Sequence, residues 1–495
     1  MTFPDPYRDL VVCVHFMIFL QKMRLMLLCA LAGLASGAVV NFEDAGAVPC
    51  KKTLFKSCDT STEGAVKNAA LFNATMNALA PGDTLLVPNS TYLMMGGIIV
   101  TDLTDATLQI EGTLLFSDDC DAWPTEIIHG KPSKSPLIAM LFERSVNLLI
   151  TSREGTGTLD GNGAAWWGVP GVGYLVRGKN RPPLLVVHNA TDFVLEHILL
   201  TQAPRFNFQS QFLKNATIRY CQVSARRTSD DGHSAIDLTA FNTDGFDVGG
   251  TDIHIHDCDV WNQDDTFCIK ANHETTSNVL VENCRASGVG LSVGSIGDAN
   301  VRNVTFRNVE MHHTSKGVYV KFNAKAARGG VVEDVTYENV HIEKPESWPI
   351  WIGPQQAGIK EANTTYNPCH GDPCSLCWPA DKSSTCPPVV GATIRNLVLR
   401  NITISKPSGS CGVIIGDPAN PINVTFDGVR FIDPKDDGAF GKDFFFAKGV
   451  NGVAMGDTYP IPPGFENRTG FQCVSGQCVP SNEGGDQASC AAVCS

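Results

Sequence analysis

Asn242-Thr243-Asp244-Gly245 and Asn262-Gln263-Asp264-Asp265-Thr266 each run straight into a short apolar stretch, Phe246-Asp247-Val248 and Phe267-Cys268-Ile269. If those stretches are neighbouring strands, Asp244, Asp264 and Asp265 converge at one end of them. Carboxyls that close cannot all ionise at an ordinary pKa, so one is kept protonated while its neighbours are charged. That is the equipment for hydrolysing a glycosidic bond: one carboxyl protonates the leaving oxygen while others activate a water. An inverting acid–base pair is ordinarily about 6.5–9.5 Å apart. A solitary Asp or Asn at a turn more often only hydrogen-bonds the local backbone, so the surrounding elements decide the matter.

Those elements repeat. A polar residue followed by alternating apolar residues, closing on an apolar residue or cysteine at the seventh place, starts at Asp192, Asn215, Asp252, Asn278, Asn303, Asp334, Asn396 and Asn423. Period-two alternation marks each copy as a strand, and a spacing of about 25 residues marks one coil of a β-solenoid. The step from Asp334 to Asn396 is read as two coils plus an insertion. Second strands follow at Phe246–Gly250, Phe267–Lys270, Leu291–Gly294, Val318–Lys321, Ile350–Gly353 and Val413–Gly416. No copy can bury its apolar side alone, and stacking buries them all. The expected fold is all-β: a single-domain, right-handed parallel β-helix over residues 38–465, with a short capping helix near 63–79. Cys221, Cys258 and Cys284 fall in the seventh-place column and read as core residues.

In that frame the turns before the second strands are stacked, and Asp244, Asp264, Asp265 and Lys321 line one groove. The order and spacing of Asn242-Thr243-Asp244-Gly245, Gln263-Asp264-Asp265 and Gly290-Leu-Ser-Val-Gly-Ser-Ile-Gly297 resemble glycoside hydrolase family 28, the polygalacturonases and related pectin hydrolases, over about 190–430. The resemblance implies the same β-helix and an inverting reaction. It makes Asp264 the general acid, with Asp244 and Asp265 holding and deprotonating the water. It also implies substrate contacts at Asn242, Gln263, Gly290, Tyr319 and Lys321. Two positions depart from the family. Val289 stands where Gly-His-Gly would supply a histidine, and Tyr319 replaces the arginine of an Arg-Ile-Lys strand whose cations bind galacturonate. A tyrosine there can stack on a sugar ring instead. Lys270, Lys316, Lys325 and Arg328 are candidates for replacement charge, though charged side chains in such stretches usually form a solvated face.

Other features read as scaffold or surroundings. Asp230-Asp231 falls in a polar insertion from Arg226 to Ala240. His254 and His256 alternate on one strand face without a third ligand at useful spacing. Trp166, Trp167 and Trp261 are core or sugar-platform residues. The net charge of −13 excludes a basic nucleic-acid-binding face. No cofactor or metal motif is read, and the expected partner is a pectic polysaccharide met by a monomer.

Residues 1–37 read as an export signal, with 1–22 an upstream extension and the apolar core starting after Met23-Arg24. Its removal leaves 16 of the 18 cysteines, an even number that suits an oxidising compartment. Nine Asn-x-Ser/Thr sequons, at Asn73, Asn89, Asn189, Asn215, Asn303, Asn363, Asn401, Asn423 and Asn467, point the same way. Localisation is therefore expected to be extracellular, with no membrane attachment after cleavage. Residues 466–495 form a Cys-rich tail. Competing expectations are a pectate-lyase-like β-eliminating enzyme, which would use the acidic cluster for calcium, and a non-catalytic carbohydrate-binding solenoid.

Overall fold

The computed structural model describes residues 37–50, 61–168, 180–226, 238–271, 274–323, 329–356, 386–434, 444–469, 471–474 and 477–480. The export signal, Asp230-Asp231, Lys325, Arg328 and Asn363 lie outside the described residues. No described helix is long and apolar enough to cross a membrane.

Two long parallel sheets run up the stack. The larger contains 20 strands and the second 11. In chain order, which is also stacking order, the second sheet consists of β1 (Ile98–Thr101), β2 (Met140–Glu143), β3 (Leu185–His188), β4 (Phe208–Gln211), β5 (Phe246–Val248), β6 (Phe267–Ile269), β7 (Leu291–Ile296), β8 (Val318–Asn323), β9 (Ile350–Gln356), β10 (Gly412–Ile415) and β11 (Phe445–Lys448). This is the right-handed parallel β-helix that the repeat predicts.

The eight repeat copies are stacked residue on residue. Phe193 pairs with Ala216, Ala216 with Ile253, Ile253 with Val279, Val279 with Val304, Val304 with Val335, Val335 with Leu397 and Leu397 with Val424. The residues that start the copies all take a left-handed backbone except Asn423, and each of those seven is Asn or Asp. These are the residue types that tolerate such a corner. Each corner resets the alternation, so Val301, Val304, Phe306, Val309 and Met311 all point inward from one continuous strand. Cys221, Cys258 and Cys284 are buried, unbridged members of the seventh-place column.

One repeat reading is corrected. Val331–Glu343 pairs directly with Thr393–Ser405, so the step of 62 residues is a single coil carrying a long insertion after β9. Two coils would have left an intervening strand between the two partners. At the other end, the parallel stack continues to Glu466–Arg468, which pairs with Val450–Met455.

Helix α1 (Thr62–Met76) covers the first coil, slightly earlier than the expected 63–79. Ser61 caps its start by accepting from the Gly64 N–H, and Ala65, Ala69, Phe72 and Met76 pack one face onto the stack. The same helix finishes the outer edge of β1. Asn73 Oδ1 accepts from the Ile99 N–H at 2.9 Å, and Asn77 accepts from Thr101 N–H while donating to the Ile99 carbonyl, both at 3.0 Å.

Candidate active site

The turns leading into β5–β8 are tied coil to coil through the backbone. Gly245 N–H donates to the Asp265 carbonyl, Val289 N–H to the Asp264 carbonyl, and Lys316 N–H to the Val289 carbonyl, at 2.7–2.9 Å. Strand register extends these links into columns. Phe246 pairs with Phe267, Phe267 with Leu291, and Leu291 with Val318. Two residues before each of these lie Asp244, Asp265, Val289 and Lys316, which therefore share one column. A second column, from the middle of the strands, holds Asp247, Cys268, Ser292, Tyr319 and Trp351. Lys270 and Lys321 follow at the strand ends. The column is what brings Asp244 to Asp265, and one oxygen from each of Asp244, Asp264 and Asp265 lies within 4.8 Å of the others. That is closer than the separation of about 6.5–9.5 Å expected from acid–base spacing. Successive rungs of a parallel stack are only about 4.8 Å apart, and this sets the distance.

The three aspartates are almost fully buried, yet their surroundings differ. Asp265 is held on both oxygens by Lys321 Nζ, at 2.7 and 3.0 Å, and accepts from Ser292 Oγ at 2.7 Å. Burial pushes its pKa up, but Lys321 and Lys270 more than offset this and hold it at about 2. Asp264 Oδ2 accepts from the backbone and side-chain N–H groups of Asn242 at 3.1 and 3.2 Å. Its Oδ1 accepts from the Asp265 N–H at 2.8 Å. Burial, then the charges of Asp244 and Asp265, raise Asp264 well above the ordinary carboxyl range. Asp244 is also raised well above it, by burial and by Asp247. Its Oδ1 has no hydrogen-bond partner among the described residues. The site thus pairs a carboxylate fixed in its charged form with two carboxyls that bind protons readily and titrate together.

The expected contact residues are all placed in or directly under this cluster. Asn242 sits at a left-handed corner (φ 62°) and orients Asp264. Gln263 is fully buried, its N–H bonded to Thr243 Oγ1 at 3.0 Å. Gly290 has no room for a side chain, because a Cβ there would meet the Gly317 carbonyl at 3.0 Å and Tyr319 Cβ at 3.2 Å. Its carbonyl accepts from Thr266 Oγ1 at 2.8 Å. The Tyr319 ring lies beside two cations, with Lys321 Nζ at 4.2 Å and Lys316 Nζ at 5.2 Å from its centroid.

Two lysines are not on a solvated face. Lys270 is 19% exposed and approaches Asp247, Asp265 and Asp244 at 3.4, 3.6 and 3.8 Å. Lys316 is fully buried. The coil spacing hides both, since residues separated by one period in sequence become neighbours only after stacking.

Other residues were missed altogether. Asp247 reads as one residue of an apolar strand, yet it is buried within the cluster, which raises its pKa to about 6 through burial. Arg181 lies outside the repeat and is 1% exposed. It donates to the Pro204 and Phe241 carbonyls and, at 3.2 Å, to Asn242 Oδ1, so it steadies the residue that steadies Asp264. Arg205, one coil before Asp244, senses Asp244, Asp247 and Asp264. A polar residue in the turn of each adjacent coil was the available signal for Arg205.

The remaining candidates are scaffold. His254 bonds Glu282 at 2.9 Å beside Arg307 on the larger sheet. Trp166 and Trp167 are buried. Trp261 has the Arg226 guanidinium over its ring at 3.5 Å and stacks with His313 at 5.6 Å.

Comparison with known proteins agrees with this architecture. The family described as glycosyl hydrolases family 28 matches residues 82–370. Endopolygalacturonase I of Aspergillus niger is 28% identical over 280 residues, covering 55% of this chain and 67% of the relative. A polygalacturonase of Cochliobolus carbonum is 26% identical over 343 residues, covering 68% of this chain and 78% of the relative. Among solved structures, the endo-xylogalacturonan hydrolase of Aspergillus tubingensis superposes with a TM-score of 0.55 at 19% identity, covering 84% of this chain and 99% of the other.

Proposed function

This chain belongs to glycosyl hydrolase family 28 and is a glycoside hydrolase, and from that premise we propose that it cleaves α-glycosidic bonds in pectin with inversion, Asp264 acting as the acid. The observation that carries the reading is the contrast within one cluster, where Asp265 is locked in its charged form while Asp264 and Asp244, both raised well above the ordinary range, titrate together and share one proton, which rests on Asp264 and leaves Asp244 a strong acceptor. Asp264 gives its proton to the leaving oxygen as the C1–O bond breaks. A water held by Asp244 Oδ1 and Asp265 attacks C1 from the other side and yields its proton to Asp244. Asp265 is the weaker acceptor because Lys321 occupies both of its oxygens. Because the three carboxyls are so close, Asp244 and Asp265 cradle the water on the face of C1 opposite the oxygen that Asp264 protonates. Asn242 and Arg181 keep Asp264 aimed, and Lys321 and Tyr319 contact the sugar acid. The enzyme is proposed to act outside the cell as a monomer.

The test is release of reducing ends from polygalacturonate, rhamnogalacturonan and xylogalacturonan by the wild type and by Asp264→Asn. Equal release by both proteins on every polymer overturns the reading. So does an unsaturated, ultraviolet-absorbing product, which would mean β-elimination. Proton resonances of the first product formed check the stereochemistry, and retained configuration would make one aspartate a nucleophile.

A further inference from the structure

Among the described residues, Lys316 is the one lysine of the site that meets no carboxylate. Lys270 approaches three carboxylates and Lys321 grips Asp265, whereas Lys316 Nζ has no hydrogen-bond partner among the described residues. The side chain is fully buried. Its ammonium lies 5.2 Å from the Tyr319 ring centroid and 5.8 Å from that of Trp351. Aromatic faces attract a cation, but they do not replace the hydrogen-bonding acceptors it leaves behind in water. Burial, then the nearby charge of Lys321, pushes its pKa down to about 7 against the pull of Asp265 and Asp264. An anion brought to Nζ supplies the acceptor that the protein does not.

Its position says which anion. Lys316 shares the turn column of Asp244 and Asp265, two rungs beyond Asp265, or about 10 Å along the stack. Only Val289 stands between them in that column. A chain of sugar acids lying along the groove with one bond at Asp264 therefore brings a neighbouring ring alongside Lys316. Lys316 and Lys321 both lie beside the Tyr319 ring, at 5.2 and 4.2 Å from its centroid, so the same ring borders both cations.

We infer that Lys316 is a substrate-binding residue that receives a uronate carboxylate of the chain held at Asp264. This rests on the reading of the substrate as a galacturonan. A charge-assisted hydrogen bond from Nζ to that carboxylate satisfies both groups. A methyl-esterified residue offers no such charge.

The experiment compares wild type, Lys316→Met, Lys316→Gln and Lys316→Arg on polygalacturonate and on its methyl ester, reading kcat and KM separately. Binding of trigalacturonate and of its trimethyl ester is followed in parallel by calorimetry. The ratio of kcat/KM on acid to kcat/KM on ester should fall about tenfold or more in the Met and Gln variants, mainly through KM, with recovery in the Arg variant. Trigalacturonate binding should weaken by a similar factor, while melting temperature stays level or rises because an unpaired buried charge is gone. A wild type that cleaves, with the same ratio in the Met and Gln variants, overturns the inference and leaves the hydrolase reading standing. If the wild type cleaves neither polymer but binds trigalacturonate through Lys316, the hydrolase reading fails and the inference stands. Equal weakening toward acid and ester overturns it.

Discussion

On the exposed side of the larger sheet, Asn283, Asn308, Asn339 and Asn401 form a chain in which the Nδ2 groups of the last three donate to the Oδ1 of the coil before at 2.8–3.0 Å. In the groove, Asp244, Asp264 and Asp265 also occupy coil turns, one of them beside Asn242, which shares the left-handed corner of the ladder residues. Both columns consist of short polar side chains repeated with the coil. The ladder pairs side-chain donors with acceptors from coil to coil and keeps its groups in contact with water. The groove packs like charges together, buries them, and leaves Asp244 Oδ1 open. Residue type and period are thus common to scaffold and site, and unmet bonding capacity with shifted protonation separates them.

The largest expected effect makes a groove carboxyl into a ladder-type amide. Asp264→Asn should lower kcat/KM by about a thousandfold, with no loss of melting temperature. Comparable loss of stability would assign Asp264 to the scaffold. Next, Lys321→Met leaves Asp265 buried without its main cation, which should cost about 3–5 kcal/mol in denaturant unfolding. In the wild type the depressed pKa of Asp265 contributes stability that is complete above the ordinary carboxyl range and lost as pH falls toward about 2. Without Lys321 that pKa rises, so the acid limb of the kcat/KM profile should move to higher pH. A limb that stays put would remove Asp265 from the titration that governs turnover.

The ladder should respond in the opposite sense. Asn308→Ala loses two rung bonds and strains a corner at φ 54°, for about 1–3 kcal/mol of stability with kcat unchanged. Asn308→Gly keeps the corner relaxed and should cost less, so equal losses would mean that the backbone contributes nothing. Smallest of all, Cys258→Val in the interior column should change stability by less than about 1.5 kcal/mol.

Much of this was legible because a repeat converts sequence spacing into spatial register. The eight copies, the second sheet and the shared turn of Asp244 with Asp264-Asp265 all follow from period and alternation. The long insertion after β9 broke that arithmetic, since a step of 62 fits two coils as well as one. Arg181 carries no repeat signal, and Asp247 is masked by its apolar neighbours. The burial of Lys270 and Lys316 depends on what stacks beside them. The sequons have a second explanation. In Asn215-Ala-Thr, Asn303-Val-Thr and Asn401-Ile-Thr, the asparagine is a ladder corner, the middle residue points inward and the threonine outward. Their Nδ2 groups already donate to Asp192, Asn278 and Asn339. Sequon density therefore follows in part from coil geometry and is weaker support for export than a simple count suggests.

A stack of parallel coils has two open ends, and each presents a row of backbone groups able to template another strand. At the β1 end, Asn73 and Asn77 of α1 occupy those groups at Ile99 and Thr101. The helix is therefore a chain terminator in the polymer sense. With those bonds made, a second molecule finds the Ile99 N–H and C=O and the Thr101 N–H already taken, and the second sheet is held to one molecule's length at that end.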